Sequence, residues 1–269
     1  MDRPPVVTVF GTCRVQTPTA ILAAQGQVVQ NQRNIFGFVH NAPEVWQQFE
    51  IITGSRCPPP RLRPFLNIGL GWPAPEPAAI ERFHADFAET DLFLVEISSI
   101  RLLRFQDALL QINRTREILA PDAARHDWWK RILRRGENRV AEITPFLTDP
   151  TEMEVATGLT LTEQPQAALA ADAARIAGFL RKPVIFATTF NCDLKRRPIA
   201  QRSTIADALA RLEPSDYMRV FDPTHAVLDH GLDGAVRDLG HYTEAFEPHI
   251  AALLHRSLDA LWRQRRTTD

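Results

Sequence analysis

The stretch Val6-Val7-Thr8-Val9-Phe10-Gly11-Thr12-Cys13-Arg14 decides the fold class. Five β-branched and apolar residues read as a buried strand, and Gly11 permits a close turn that a larger side chain would obstruct. A helix over about 17–24 follows. Cys13 therefore lies at or just before a first helical turn, where unpaired backbone N–H groups and the positive end of the dipole favour an anion. An α/β enzyme places a nucleophile at such a point, and the setting favours a thiolate. The same thiol also reads as a small buried apolar residue, since free cysteine is among the most buried residue types. This stretch alone does not separate the two readings.

A second motif lies near the other end: Asp238-Leu239-Gly240-His241-Tyr242-Thr243, ahead of the helical run Ile250-Ala251-Ala252-Leu253-Leu254. A thiol of ordinary pKa, about 8.5, is only a few per cent ionised at neutral pH, so an imidazole placed to take its proton is the natural activator. His241 can do this, while Asp238 can hold the other ring nitrogen in the correct tautomer and stabilise the imidazolium. Without Cys13, the pair reads as an exposed histidine and a carboxylate preceding the last helix.

Gly11-Thr12-Cys13 after the first strand, taken with Asp238-x-x-His241, resembles the SGNH (GDSL-type) hydrolase superfamily, with cysteine in place of the usual serine. It is similar to the cysteine-bearing branches with Gly-Ser-Cys or Gly-Asn-Cys turns, the GSCFA-type and polysaccharide-biosynthesis acyltransferase-like proteins. The resemblance implies a three-layer α/β/α fold with a mainly parallel, flavodoxin-like sheet. It also implies an ester hydrolase or acyltransferase with a covalent thioester on Cys13, His241 as base and Asp238 as its partner. The substrates would be a small acyl donor such as a coenzyme A thioester and a carbohydrate or polysaccharide-precursor acceptor, with no tightly bound cofactor and no metal.

The superfamily's Gly-x-Asn-Asp block, whose asparagine donates to the oxyanion, is absent from this chain. Ligands of open α/β sheets sit at the carboxyl ends of the strands, so polar residues there are the substitutes. These are Ser98 and Ser99 after the run 91–97, and Thr189 and Asn191 after the run 183–188, together with Gly11 and the backbone N–H groups of Cys13 and Arg14. Each side-chain candidate also reads as a turn or cap residue. The missing block counts against a plain esterase and leaves room for a transferase, or for a non-catalytic ligand- or carbohydrate-binding protein on the same fold.

Composition bounds the class without choosing the chemistry. With 45% hydrophobic residues over 269 positions, the chain can bury one large core as a single domain, 1–269, and needs no second. A formal net charge of -1 gives no global attraction to nucleic acid or to an anionic membrane. The start Met1-Asp2-Arg3-Pro4-Pro5 does not read as a signal peptide and no apolar run approaches ~20 residues, so a cytoplasmic location without membrane insertion is expected. Three widely spaced cysteines argue against a disulfide framework or zinc cage. Cys57, beside Pro58-Pro59-Pro60, reads as a loop thiol. Cys192 follows a strand and could approach Cys13. Oligomeric state is not legible.

Apolar runs at 6–10, 92–97, 183–188 and 218–221 alternate with helical stretches near 17–24, 43–50, 76–89, 99–116, 122–140, 163–181, 203–212 and 243–263, the pattern of a parallel sheet covered on both faces. A short strand is expected within 35–39. The prolines between 53 and 77 enforce an irregular excursion over the surface or the mouth of the site. His40 and Asn41, at the end of the 35–39 run, can hydrogen-bond a ligand, although His40 also reads as a structural histidine. The helix Arg125-His126-Asp127-Trp128-Trp129-Lys130-Arg131 could present cations and indoles to a phosphorylated donor or a sugar ring. Its alternative reading is a tryptophan in the core behind a solvated charged face. No Gly-x-Gly-x-x-Gly or Walker turn is present.

Overall fold

The computed structural model describes residues 3–31, 37–66, 87–212 and 217–266. The valine-rich opening run forms β1 (Val6–Phe10), and α1 (Cys13–Ala24) follows after two residues. Short β2 (Val29–Asn31) returns parallel to β1. On the other side of β1 lies β3 (Leu92–Ile97), in register Val7 with Leu92 and Phe10 with Val95. Two more parallel strands, β7 (Val184–Thr188) and β8 (Met218–Phe221), complete a five-stranded sheet of order β2-β1-β3-β7-β8. Counted along the chain within this sheet, the order is that of the flavodoxin-like winding, whose switch point falls between β1 and β3. The crevice at the carboxyl ends of these two strands is therefore where a ligand is expected, and Cys13 follows directly from β1.

Alternation along the strands divides two cores. Phe10, Val95, Ile97 and Phe186 face one side and pack with α2 (Ala42–Ile52) and with two later helices, Gln166–Leu180 and Ala200–Ala210. Val9, Leu94 and Ile185 face the other and pack with α1, with Val227 and with the last helix, Glu247–Arg266. Every residue of β3 is buried, as a central parallel strand requires.

The region 99–116 departs from the expected helix. It holds β4 (Arg101–Phe105) and β5 (Ala108–Leu110), an antiparallel hairpin turning at Gln106, and only then α3 (Ile112–Leu119). The leucines of Arg101-Leu102-Leu103-Arg104-Phe105 fit a helical period as well as a strand. What selects the strand is pairing with the distant β6 (Thr160–Glu163), and the turn carries no glycine or asparagine to announce it.

Other boundaries follow local chemistry. The helix expected over 122–140 is α4 (Ala123–Arg135), stopped by Gly136 in the left-handed region at φ 65°. Next, α5 (Pro150–Gly158) precedes β6, α6 (Gln166–Leu180) precedes β7, and α7 (Ala200–Ala210) precedes β8. After β8 come α8 (Thr224–His230), α9 (Leu232–Ala235), the antiparallel pair β9 (Val236–Asp238) and β10 (His241–Tyr242), and α10 (Glu247–Arg266). Tyr242 is thus a strand residue, and the final helix begins later than 243. Of the strand expected within 35–39, residues 35 and 36 lie outside the described residues, and Gly37–Val39 form no strand. The 76–89 helix falls mostly outside them as well. Of the proline-rich stretch, Pro60–Leu66 is a 3-10 segment that buries Leu62, Phe65 and Leu66 in the core rather than passing over the surface. Among the described residues, no helix is long and apolar enough to cross a membrane.

Candidate active site

Cys13 is the first residue of α1, partly accessible and a free thiol. Thr12 caps the helix: its Oγ1 accepts from the Arg14 N–H at 3.4 Å. Gly11 is required by space rather than by backbone conformation. A Cβ there would lie 2.5 Å from Val15 Cγ2 and 2.7 Å from Glu96 Cβ, so only glycine lets the turn pass so close to β3.

At the other motif, His241 Nδ1 donates to both oxygens of Asp238 at 2.9 Å, and Nε2 has no hydrogen-bond partner among the described residues. The Gly240 N–H donates to Asp238 Oδ1 at 2.6 Å. Burial pushes the Asp238 carboxyl up, but the bonds from Gly240 and His241 outweigh it and hold the group below the usual aspartate range. Both side chains are about half exposed, so the imidazole is reachable from solvent.

Two arginines tie this turn to the rest of the sheet edge. Arg14, next to Cys13, donates through Nη1 to Gly240 O at 3.0 Å and through Nε to Glu96 at 2.6 Å. Arg202, on α7, donates to Phe190 O at 2.6 Å and also to Leu239 O. Burial, then the charge of Arg14, lowers Arg202 to about 10. The first-strand turn and the histidine turn are thus joined through Arg14, although no hydrogen bond links the Cys13 thiol to His241 among the described residues. Neither Glu96 nor Arg202 was singled out from the sequence. A lone carboxylate inside Leu92-Phe93-Leu94-Val95-Glu96-Ile97 was the readable signal for the first, while nothing local marks the second.

The remaining candidates divide by what already occupies them. Asn191 is engaged on both sides of its amide, donating to Ser203 Oγ at 2.9 Å and accepting from the Ile199 N–H at 3.0 Å. Ser99 Oγ accepts from the Arg101 N–H, and Ser98 Oγ lies 3.3 Å from His40 Nδ1. His40 is half-buried with its Nε2 facing the amides of Gln111 and Asn113, so the network makes Nε2 the acceptor and Nδ1 the donor to Ser98. Burial lowers His40 to about 4, and it is neutral at physiological pH. Asn41 caps α2, accepting from the Glu44 N–H at 2.9 Å. By contrast, the hydroxyls of Thr188 and Thr189 are buried at the carboxyl end of β7 and have no hydrogen-bond partner among the described residues.

The tryptophan helix takes its structural reading. Trp128 and Trp129 are both buried, and Arg125, Lys130 and Arg131 pair with Asp122, Asp127 and Glu142, so no indole face is offered to a ligand. Cys57 is exposed and Cys192 is buried in the apolar core beside Phe190; both are free thiols. A cavity of about 790 Å³ between β8, α8 and α10 is lined by Arg219, Asp222, His225, His249 and Arg256 among others, and by none of Cys13, Asp238 or His241.

Fold and site define a mixed α/β protein with a mainly parallel five-stranded sheet, carrying a cysteine and an aspartate-bound histidine on turns joined by an arginine. The chain belongs to the TviD N-terminal domain family, whose match runs over residues 5–257. A stretch of 113 residues is 26% identical to the Vi polysaccharide biosynthesis protein TviD of Salmonella typhi, covering 40% of this chain but only 12% of that much longer protein.

Proposed function

We propose that the chain is an SGNH-like acyl-transfer enzyme that modifies a carbohydrate or polysaccharide precursor, with Cys13 as nucleophile, His241 as base and Asp238 as its orienting partner. The observation that carries the reading is the Asp238–His241 pair, with Nε2 unpartnered among the described residues, on a turn held by the residue next to the thiol. Relationship to the TviD N-terminal domain family, and to a protein named for polysaccharide biosynthesis, supports the carbohydrate acceptor.

In the forward half, His241 Nε2 takes the Cys13 proton and the thiolate attacks the acyl carbonyl carbon. The tetrahedral oxyanion collapses as the bond to the donor oxygen or sulfur breaks, and the imidazolium protonates that leaving group. In the second half, His241 deprotonates an acceptor hydroxyl, which attacks the thioester; the C–S bond breaks and the proton returns to the thiolate. The Cys13 N–H is the backbone donor for the oxyanion, since the Arg14 N–H turns back to Thr12. Among side chains, Thr189 is the candidate whose hydroxyl is uncommitted among the described residues.

Steady-state release from p-nitrophenyl acetate and from acetyl-CoA, with and without a panel of sugars, tests the reading. Turnover lost in Cys13→Ala and His241→Ala, and accelerated by a sugar that gains the acetyl group, is expected of the transferase. Equal rates with and without acceptor point to the hydrolase. A second reading, a binding protein without catalysis, draws on the internal engagement of Asn191, Ser98 and Ser99. It requires Cys13→Ala to leave sugar affinity intact with no turnover in either protein.

A further inference from the structure

We infer that Glu96 is a positioning residue that couples the nucleophile turn to the histidine turn through Arg14. This rests on the acyl-transfer reading above.

Glu96 lies at the carboxyl end of the buried central strand with no side-chain exposure, and Arg14 is nearly as enclosed. A carboxylate in such a place is costly to desolvate, and an apolar side chain of similar size would serve packing better. Its bonds show what it does instead. Oε2 accepts both the N–H and the hydroxyl of Thr12 at 2.7 Å, fixing the peptide that leads into Cys13. Oε1 accepts Arg14 Nε at 2.6 Å, which leaves Nη1 pointing to Gly240 O. Gly240 in turn donates to the same Asp238 oxygen that meets His241 Nδ1.

One carboxylate therefore orients both halves of the site, from opposite ends of the chain. Burial pushes the Arg14 guanidinium toward deprotonation, but the charge and hydrogen bond of Glu96 more than reverse this, so the clamp stays cationic. Gly11 fits the same purpose, because a side chain there would drive Glu96 away from the turn. Arg202 holds the neighbouring Leu239 carbonyl independently, so the turn survives loss of Arg14 while its register against Cys13 does not.

The test compares wild type, His241→Ala, Glu96→Gln, Arg14→Lys and the double variant Glu96→Gln/His241→Ala. Readouts are p-nitrophenyl acetate turnover, Cys13 alkylation by iodoacetamide mapped by peptide, and circular dichroism for folding. A misplacement of about 1 Å costs roughly 100-fold in rate. Glu96→Gln is therefore expected to lower kcat by ~10–100-fold with KM little changed, and to slow Cys13 alkylation to the level of His241→Ala. Adding Glu96→Gln to His241→Ala changes almost nothing further, the non-additivity of residues acting as one unit. Arg14→Lys keeps the charge but loses the planar fork that reaches Glu96 and Gly240 together, and shows the same fall. Full kcat in Glu96→Gln or Arg14→Lys, or effects that multiply with His241→Ala, overturns the inference alone. Unfolding of both single variants also overturns it, because Glu96 then holds the fold rather than the site. A wild-type rate indifferent to His241→Ala overturns the acyl-transfer reading itself.

Discussion

Glu44→Gln should flatten the neutral-to-alkaline stability profile of this protein. Glu44 sits in the first turn of α2 with its carboxyl buried, accepting from the His40 N–H at 2.8 Å and from Asn41 Nδ2 at 2.7 Å. Burial outweighs these two bonds and pushes it from 4.5 up to about 8. The folded state thus holds a proton that the unfolded chain gives up above 4.5, and stability falls as pH rises toward 8. His40 works the other way. Lowered by burial from 6.5 to about 4, it costs stability as pH falls through that window.

Between 4.5 and 6.5 the two slopes oppose each other, giving a plateau. Above it Glu44 acts alone, and about 1.5 pH units at ~1.4 kcal/mol each predict a loss of roughly 2 kcal/mol by pH 8. In Glu44→Gln the amide must turn its NH2 toward one of the two donors, a constant penalty of about 1–3 kcal/mol. Its slope, however, disappears. Urea denaturation of both proteins from pH 6 to 8.5 reads the difference, with m-values compared to exclude a change of state. A variant that loses as much stability over this range as wild type would refute the assignment of the slope to Glu44.

Three further outcomes follow from the site. Thr189→Val removes a buried hydroxyl with no hydrogen-bond partner among the described residues, so unfolding free energy should hold or rise slightly while turnover falls ~10-fold; unchanged turnover excludes Thr189 as an oxyanion donor. Asp238→Asn should lower kcat by roughly 10²–10⁴ through loss of the His241 tautomer, with stability changed by less than about 1 kcal/mol at this half-exposed pair, and retained kcat would remove Asp238 from the mechanism. Gly11→Ala forces a methyl into contacts of 2.5 and 2.7 Å and should cost about 1–3 kcal/mol in urea denaturation; wild-type stability would show that the turn relaxes freely.

Four of the five sheet strands were legible as apolar runs followed by polar turns, whereas β2, with one valine and two amide side chains, carries no such signal. β1, β3, β7 and β8 all lie within a residue of the expected ranges. The hairpin β4–β5 was not legible, because its leucine spacing suits both periods and its partner β6 lies more than fifty residues away. Local motifs marked Cys13, Asp238 and His241, and the Asp238–His241 bond could be anticipated from a three-residue spacing. The joining of the two turns could not. It depends on Arg14 reaching Gly240 across more than two hundred residues, a contact set by the winding of the sheet rather than by any local pattern. The sequence marks Gly11 as a turn residue, but its necessity comes from the approach of Glu96 on a neighbouring strand.

Covalent catalysis through Cys13 is tested most directly by the intact mass of reduced protein after brief exposure to acetyl-CoA and to p-nitrophenyl acetate, with the adduct mapped by peptide in wild type, Cys13→Ala and His241→Ala. One acetyl increment is expected on Cys13 that accumulates and then disappears with water or sugar, is absent in Cys13→Ala, and forms slowly in His241→Ala. No Cys13-dependent adduct or turnover with either donor would contradict covalent catalysis and leave the binding-protein reading standing.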